Sequence, residues 1–217
     1  MDLVHPMPDT SHPLVLPALR RLILGRCSNV NVDGDDEILN CLTCPNLWTL
    51  HLPMEYVGDV DLVGFLQQSS PALQDLKIGG CGHLRFSGLE ECLLLVPALA
   101  QLELWGPTDQ FAEEIFSAIA DSSPTHILPN LCSLIIHLDG DVTISPYFWT
   151  TLLRALSGRC SQLTYFKMVR QRSWASDPEP DVYTAFPEPN VYTAFRQLAA
   201  DGMEIHVGTE ERSIISA

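Results

Sequence analysis

The sequence predicts an α/β chain: a curved solenoid whose parallel sheet of about six to seven short strands lines one face, with a helical return after each strand. Three observations predict it. One phrase recurs: proline, any residue, leucine, two residues, leucine, one residue, an apolar residue. It fills residues 17–24, 45–52, 71–78, 97–104 and 129–136, and a sixth copy at 161–168 keeps the spacing with Ser161 in place of the proline. The first leucines, Leu19, Leu47, Leu73, Leu99, Leu131 and Leu163, are separated by 28, 26, 26, 32 and 32 residues, enough for one strand and one return. Within each phrase the apolar residues alternate as in a strand, and between phrases they follow helical spacing. Such units cannot bury an apolar face alone and must stack.

Each strand points the sixth and eighth phrase positions inward, so Leu22, Leu24, Leu50, Leu52, Leu76, Ile78, Leu102, Leu104, Leu134 and Ile136 are expected in the core. The first return is expected as a helix over 35–42. The second spans 59–68, with Leu62, Val63 and Leu66 on one face. Ser87 and Glu90 have capping-box spacing and are expected to open the third. Thr108 or Asp109 caps the fourth, with Phe111, Ile115, Ala118 and Ile119 on its apolar side. Ser145-Pro146 starts the fifth as a cap followed by proline at the first helical position. The prolines heading most copies end the preceding helix, because proline lacks an N–H and constrains the residue before it.

A seventh strand is expected over 203–207, after a helix end at Asp201-Gly202. Its implied first position is Ala200, 37 residues after Leu163. The excess has a visible source. Residues 178–186 are followed directly by a second copy at 187–195, with Asn190 replacing Asp181; removing nine residues from 37 leaves 28. This reads as a duplication inside one connector, which a long loop accommodates at small entropic cost. The first copy is expected to be exposed and irregular, and the second to join the last helix. The domain plan is therefore a proline-broken segment at 1–13, a repeat domain at 14–207 carrying the duplicated loop 178–195, and a tail at 208–217.

Two phrases continue into a cysteine: Leu22-Ile23-Leu24-Gly25-Arg26-Cys27 and Leu76-Lys77-Ile78-Gly79-Gly80-Cys81. With the L-x-x-L-x-L core, this resembles the cysteine-containing class of leucine-rich repeats, over roughly residues 14–207, in the style of fungal F-box proteins. The resemblance implies the target-recognition half of an F-box-like ubiquitin-ligase substrate receptor. The copies at Leu47, Leu99 and Leu131 depart from it by lacking the cysteine. The helical F-box that docks an adaptor is expected to be missing, since residues 1–13 carry Pro6, Pro8 and Pro13. The alternative is a leucine-rich-repeat scaffold or inhibitor unrelated to ubiquitination.

Composition narrows the function. A chain of 217 residues with 46% hydrophobic content can bury a core. A net charge of −15 argues against general nucleic-acid binding, which needs a cationic surface. The longest apolar stretch, 92–100, contains Pro97 and is too short to span a bilayer. No signal-peptide layout opens the chain, so the seven cysteines read as reduced thiols of a cytoplasmic or nuclear monomer.

No catalytic signature emerges, and no enzyme activity, cofactor or metal is expected. Cys41-Leu42-Thr43-Cys44 falls at a helix end, the reverse of a redox motif. His51 and His137 take outward positions three strands apart, about 14 Å at the usual strand spacing, too far to share a metal. Function is expected on the outward row of the sheet, where aromatic anchors and orienting charges compose a protein-binding patch of His51, Lys77, Glu103, Trp105, His137, Tyr165, Lys167, Arg170 and Arg172. Trp105 reads equally as an anchor or as a side chain tucked against the next loop. Between Asp141 and Asp177 no acid occurs, but Arg154, Arg159, Lys167, Arg170 and Arg172 do. That run reads as a solvated face of one repeat, or as a basic end suited to an acidic or phosphorylated peptide.

Overall fold

The computed structural model describes residues 13–25, 38–53, 58–81, 84–121, 127–138, 144–170, 189–209, 213 and 215. Seven strands form one sheet: β2 (Arg21–Ile23), β4 (Thr49–Pro53), β5 (Asp75–Gly79), β6 (Gln101–Trp105), β7 (Ser133–Leu138), β8 (Tyr165–Arg170) and β9 (Glu204–Gly208). The strands of this sheet lie side by side in chain order, and every pair is parallel. Between strands run α1 (Asp59–Ser69), α2 (Phe86–Leu95), α3 (Asp109–Ala120), α4 (Pro146–Gly158) and α5 (Pro189–Ala200). The fold class is thus α/β with a seven-stranded parallel sheet.

The repeated phrase is a docking instruction. The amide of its first leucine closes a tight turn, as in Leu47 N to Cys44 O and Leu99 N to Val96 O, at 3.2 and 3.0 Å. The next two amides bond a single carbonyl of the preceding copy. Trp48 and Thr49 donate to Arg20, Gln74 and Asp75 to Trp48, Ala100 and Gln101 to Gln74, Cys132 and Ser133 to Ala100, and Thr164 and Tyr165 to Cys132. Where asparagine follows the proline, its side chain spans the same step: Asn46 Nδ2 reaches Pro17 O at 2.8 Å, and Asn130 Nδ2 reaches Pro97 O at 2.9 Å.

This docking sets the register. Leu22, Leu50, Leu76, Leu102, Leu134, Phe166 and Ile205 form one inward row, and Leu52, Ile78, Leu104, Ile136, Met168 and Val207 form another. From β4 onward these side chains are buried and share one core with the helices. Under the later strands the core is aromatic: Phe116 packs edge-on to Phe148 at 5.3 Å, and Trp149 to Phe195 at 6.1 Å. Thr108 and Ser145 cap α3 and α4, accepting from the amides of Phe111 and Phe148.

Several expectations need correction. Leu22 and Leu24 are only half-buried, because β2 is the edge strand with a neighbour on one side. In the described part of 35–42 there is no α-helix. A single 3-10 turn at Leu39–Cys41 runs into β3 (Leu42–Thr43), which pairs in parallel with β1 (Leu14–Val15) as a separate two-stranded sheet. Helix α2 begins one residue before Ser87, with Arg85 at the cap and no side-chain capping bond. The last copy is shifted by two residues: Ile205 pairs with Phe166, so its first position is Gly202, not Ala200. The spacing from Leu163 is then 39, or 30 without the duplicated nine. The helix end expected at Asp201-Gly202 is present: Gly202 is a left-handed residue (φ +104°) after α5, with Gly202 N bonded to Ala199 O and Met203 N to Leu198 O. The second copy of the duplication enters α5 from Pro189; the first lies outside the described residues.

Candidate protein-binding site on the outward sheet face

The register that buries the leucines also aligns the opposite side chains. Ile23, His51, Lys77, Glu103, Ile135, Lys167 and His206 form a middle outward row. Arg21, Thr49, Asp75, Gln101, Ser133, Tyr165 and Glu204 lie on one side of it. Trp105, His137 and Val169 lie on the other.

The rows converge on Glu103. This carboxylate sits on the outward face yet is only 6% exposed. Lys77 Nζ lies 2.6 Å from Oε2, Trp105 Nε1 donates to Oε1 at 2.8 Å, and His137 Nε2 lies 3.2 Å from Oε1. The indole and imidazole rings stack with centroids 3.6 Å apart and planes 11° from parallel. Burial alone would raise the Glu103 pKa. The His137, Lys77 and Trp105 nitrogens facing it, together with the Lys77 charge, outweigh it and hold the carboxyl at about 2. Glu103 is therefore ionised at neutral pH and orients three side chains.

The result is a fixed aromatic platform. Trp105 is 38% exposed, with its N–H committed to Glu103 and one face on His137. Gly79, one residue beyond the paired Ile78 and Leu104, adds no side chain on the β5 side. Trp105 is thus partly packed, against the sheet rather than the next loop, and part of its surface stays open. Beside the platform His51 Nε2 lies 3.1 Å from Asp75 Oδ2.

The remaining expected site residues spread out. Tyr165 and Lys167 are half-buried on β8, two strands from Trp105. Arg170 pairs in register with the buried Leu138, so it shares the inward parity at the strand's end and does not extend the outward row. Arg172 lies outside the described residues. Arg159, counted in the basic run, is structural. It is 9% exposed and donates to the carbonyls of Ile119, Leu128 and Ile127 at 3.2, 3.3 and 3.0 Å. The basic end is accordingly smaller than the sequence suggested.

Sequence reasoning chose Lys77, Glu103, Trp105 and His137 singly and missed their coupling. The signal was available: copies aligned on the first leucine place Lys77 beside Glu103 and Trp105 beside His137. The cysteines divide by burial. Cys81 and Cys92 are fully buried, and burial, followed by the charges of Glu91 and Asp59, pushes the Cys92 thiol up to about 12. Cys41 is exposed and Cys44 buried, both as free thiols. Among the described residues no group of three His, Cys, Asp or Glu side chains could hold a metal, and no helix is long and apolar enough to cross a membrane. Comparison with family models, with curated proteins and with solved structures returned no match.

Proposed function

We propose that this chain is a leucine-rich-repeat solenoid that recognises another protein through the outward face of its sheet, with Trp105 as the anchor. The observation that carries the reading is the immobilised indole: an aromatic held by a buried carboxylate and a stacked imidazole loses little entropy on binding. Lys77 and the His51–Asp75 pair set charges around it that orient a partner segment. The cysteine-bearing phrases support a target-receptor role of the F-box type.

The test is affinity capture with the parent and with Trp105→Ala, followed by titration of the captured partner. Truncating the anchor is expected to weaken binding by about 2 kcal/mol or more, roughly thirtyfold. Equal binding by parent, Trp105→Ala and Lys77→Glu would move the site off the outward face. Co-capture of a ubiquitin-ligase adaptor by a longer transcript supports the receptor role, and a partner bound without any adaptor supports the scaffold or inhibitor reading.

A further inference from the structure

The two ends of the sheet are finished differently. At the β9 end the chain folds back: Ser213 forms an antiparallel bridge to Gly208, and Ile215 is buried. At the other end β2 has β4 on one side and no strand on the other among the described residues. Its free side can be identified group by group. Arg20 O accepts from Thr49 N, and Leu24 N donates to His51 O. The even-numbered residues therefore turn their peptide groups toward β4. In a parallel ladder Arg21 and Ile23 then turn their N–H and C=O groups to the open edge.

The side chains there are unusual for an end left to water. Ile23 is 50% exposed and Trp48 47%, while Leu22 and Leu24 are only half-covered. Arg20 and Arg21 are both exposed, and neither forms an ion pair among the described residues, in a chain of net charge −15. Arg20 lies over the Trp48 ring at 5.1 Å. Two adjacent arginines disfavour a second copy of the same edge, which would set like charges together.

We propose that the β2 edge binds an extended acidic segment of a partner protein, which adds to the sheet as a further strand. Its backbone pairs with Arg21 and Ile23. On the outward face it places an acid by Arg21 and an apolar residue by Ile23. On the inward face its alternate residues are apolar and complete the cover over Leu22 and Leu24. Mode and chemistry follow from strand alternation and charge complementarity, independently of the Trp105 platform.

The probe is the capped peptide Glu-Leu-Val-Leu-Glu-Thr, with Lys-Leu-Val-Leu-Lys-Thr as its charge-reversed control, followed by NMR amide exchange on the whole chain. The acidic peptide is expected to slow exchange at the Arg21 and Ile23 amides, and the lysine peptide is expected not to. The double variant Arg20→Glu/Arg21→Glu, checked as folded by unchanged protection in β5 and β6, is expected to bind the acidic peptide at least tenfold more weakly. The proposal is overturned if neither amide is slowed, if both peptides act alike, or if the double variant binds as the parent does. It is equally overturned if both amides are already protected in the isolated chain, because the edge is then taken by a second copy or by the chain itself.

Discussion

Replacing Arg159 by Met should unfasten the turn between α3 and β7. The guanidinium donates four hydrogen bonds, three to main-chain carbonyls of Ile119, Ile127 and Leu128 and one to Gln162 Oε1. Ile119 O belongs to the last turn of α3, where helix carbonyls lack intrahelical partners and a cation is favourable. Met retains much of the aliphatic stem, so the loss reports the head group. Hydrogen bonds to a charged donor contribute about 1.5–3 kcal/mol each, and the three carbonyls at the lower figure give about 4–5 kcal/mol. Part is returned because burial of the cation, which also lowers its pKa, no longer costs anything, leaving a net loss of about 3 kcal/mol. For a chain of this size that is roughly 6–12 °C in Tm. Urea unfolding followed by circular dichroism measures it, with the exposed Arg154→Met as a control expected within about 0.5 kcal/mol of the parent. Arg159→Lys should fall between, since one ammonium cannot span three carbonyls. If Arg159→Met loses no more than the Arg154 control, the guanidinium is not a clamp.

Three further outcomes follow from the same structure. Leu102→Ala, in the centre of an inward row and fully buried, should cost about 2–5 kcal/mol in urea unfolding, and a smaller loss would show a yielding core. Gly88→Ala should destabilise by about 1–3 kcal/mol although it sits in a helix, because the new Cβ would stand 2.5 Å from Asp59 Cβ across the α1–α2 contact; a gain of about 1 kcal/mol, as for an unhindered helical glycine, would refute that contact. Glu103→Gln should remove an acid-sensitive part of stability. The folded carboxyl is depressed from 4.5 to about 2, so its contribution is complete above pH 4.5 and fades as pH falls toward 2. The gap between parent and variant, measured by denaturation at pH 6 and pH 3, should therefore narrow at the lower pH, and a constant gap would show that Glu103 is not held ionised.

The strands were legible because their signal repeats. Each inward leucine has a counterpart in the next copy, and an error in one copy is exposed by its neighbours. Legibility failed where the repetition did. Between Leu24 and Cys44 no second copy supports the helical reading of 35–42, and the described part is a turn and a short strand. At the last copy, alternation alone could not separate registers two residues apart, since both bury the same parity; the pairing of Ile205 with Phe166 decides it. Arg159 was hidden for another reason. Its partners are carbonyls 31 to 40 residues away, and a carbonyl leaves no trace in side-chain identity.

The Glu103 cluster shows why such a sheet can change its surface without losing its fold. The return segments differ in length, with phrase spacings of 26 to 32 residues between β4 and β8, but the register does not drift. Each copy is docked anew by the leucine turn and by two amides on one carbonyl of the copy before. Length changes are absorbed in the returns, and the outward positions of adjacent strands stay opposite each other. Lys77 can therefore meet Glu103, and Trp105 meet His137, across different strands with the fidelity of residues on one helix turn. The inward rows spend their chemistry on leucine because every copy must solve the same packing problem. The outward rows carry no such constraint, and there the copies differ most, with Ile23, His51, Lys77, Glu103, Ile135, Lys167 and His206 at one level. The inward rows are thus set by shared packing, and each outward position by its own side chain.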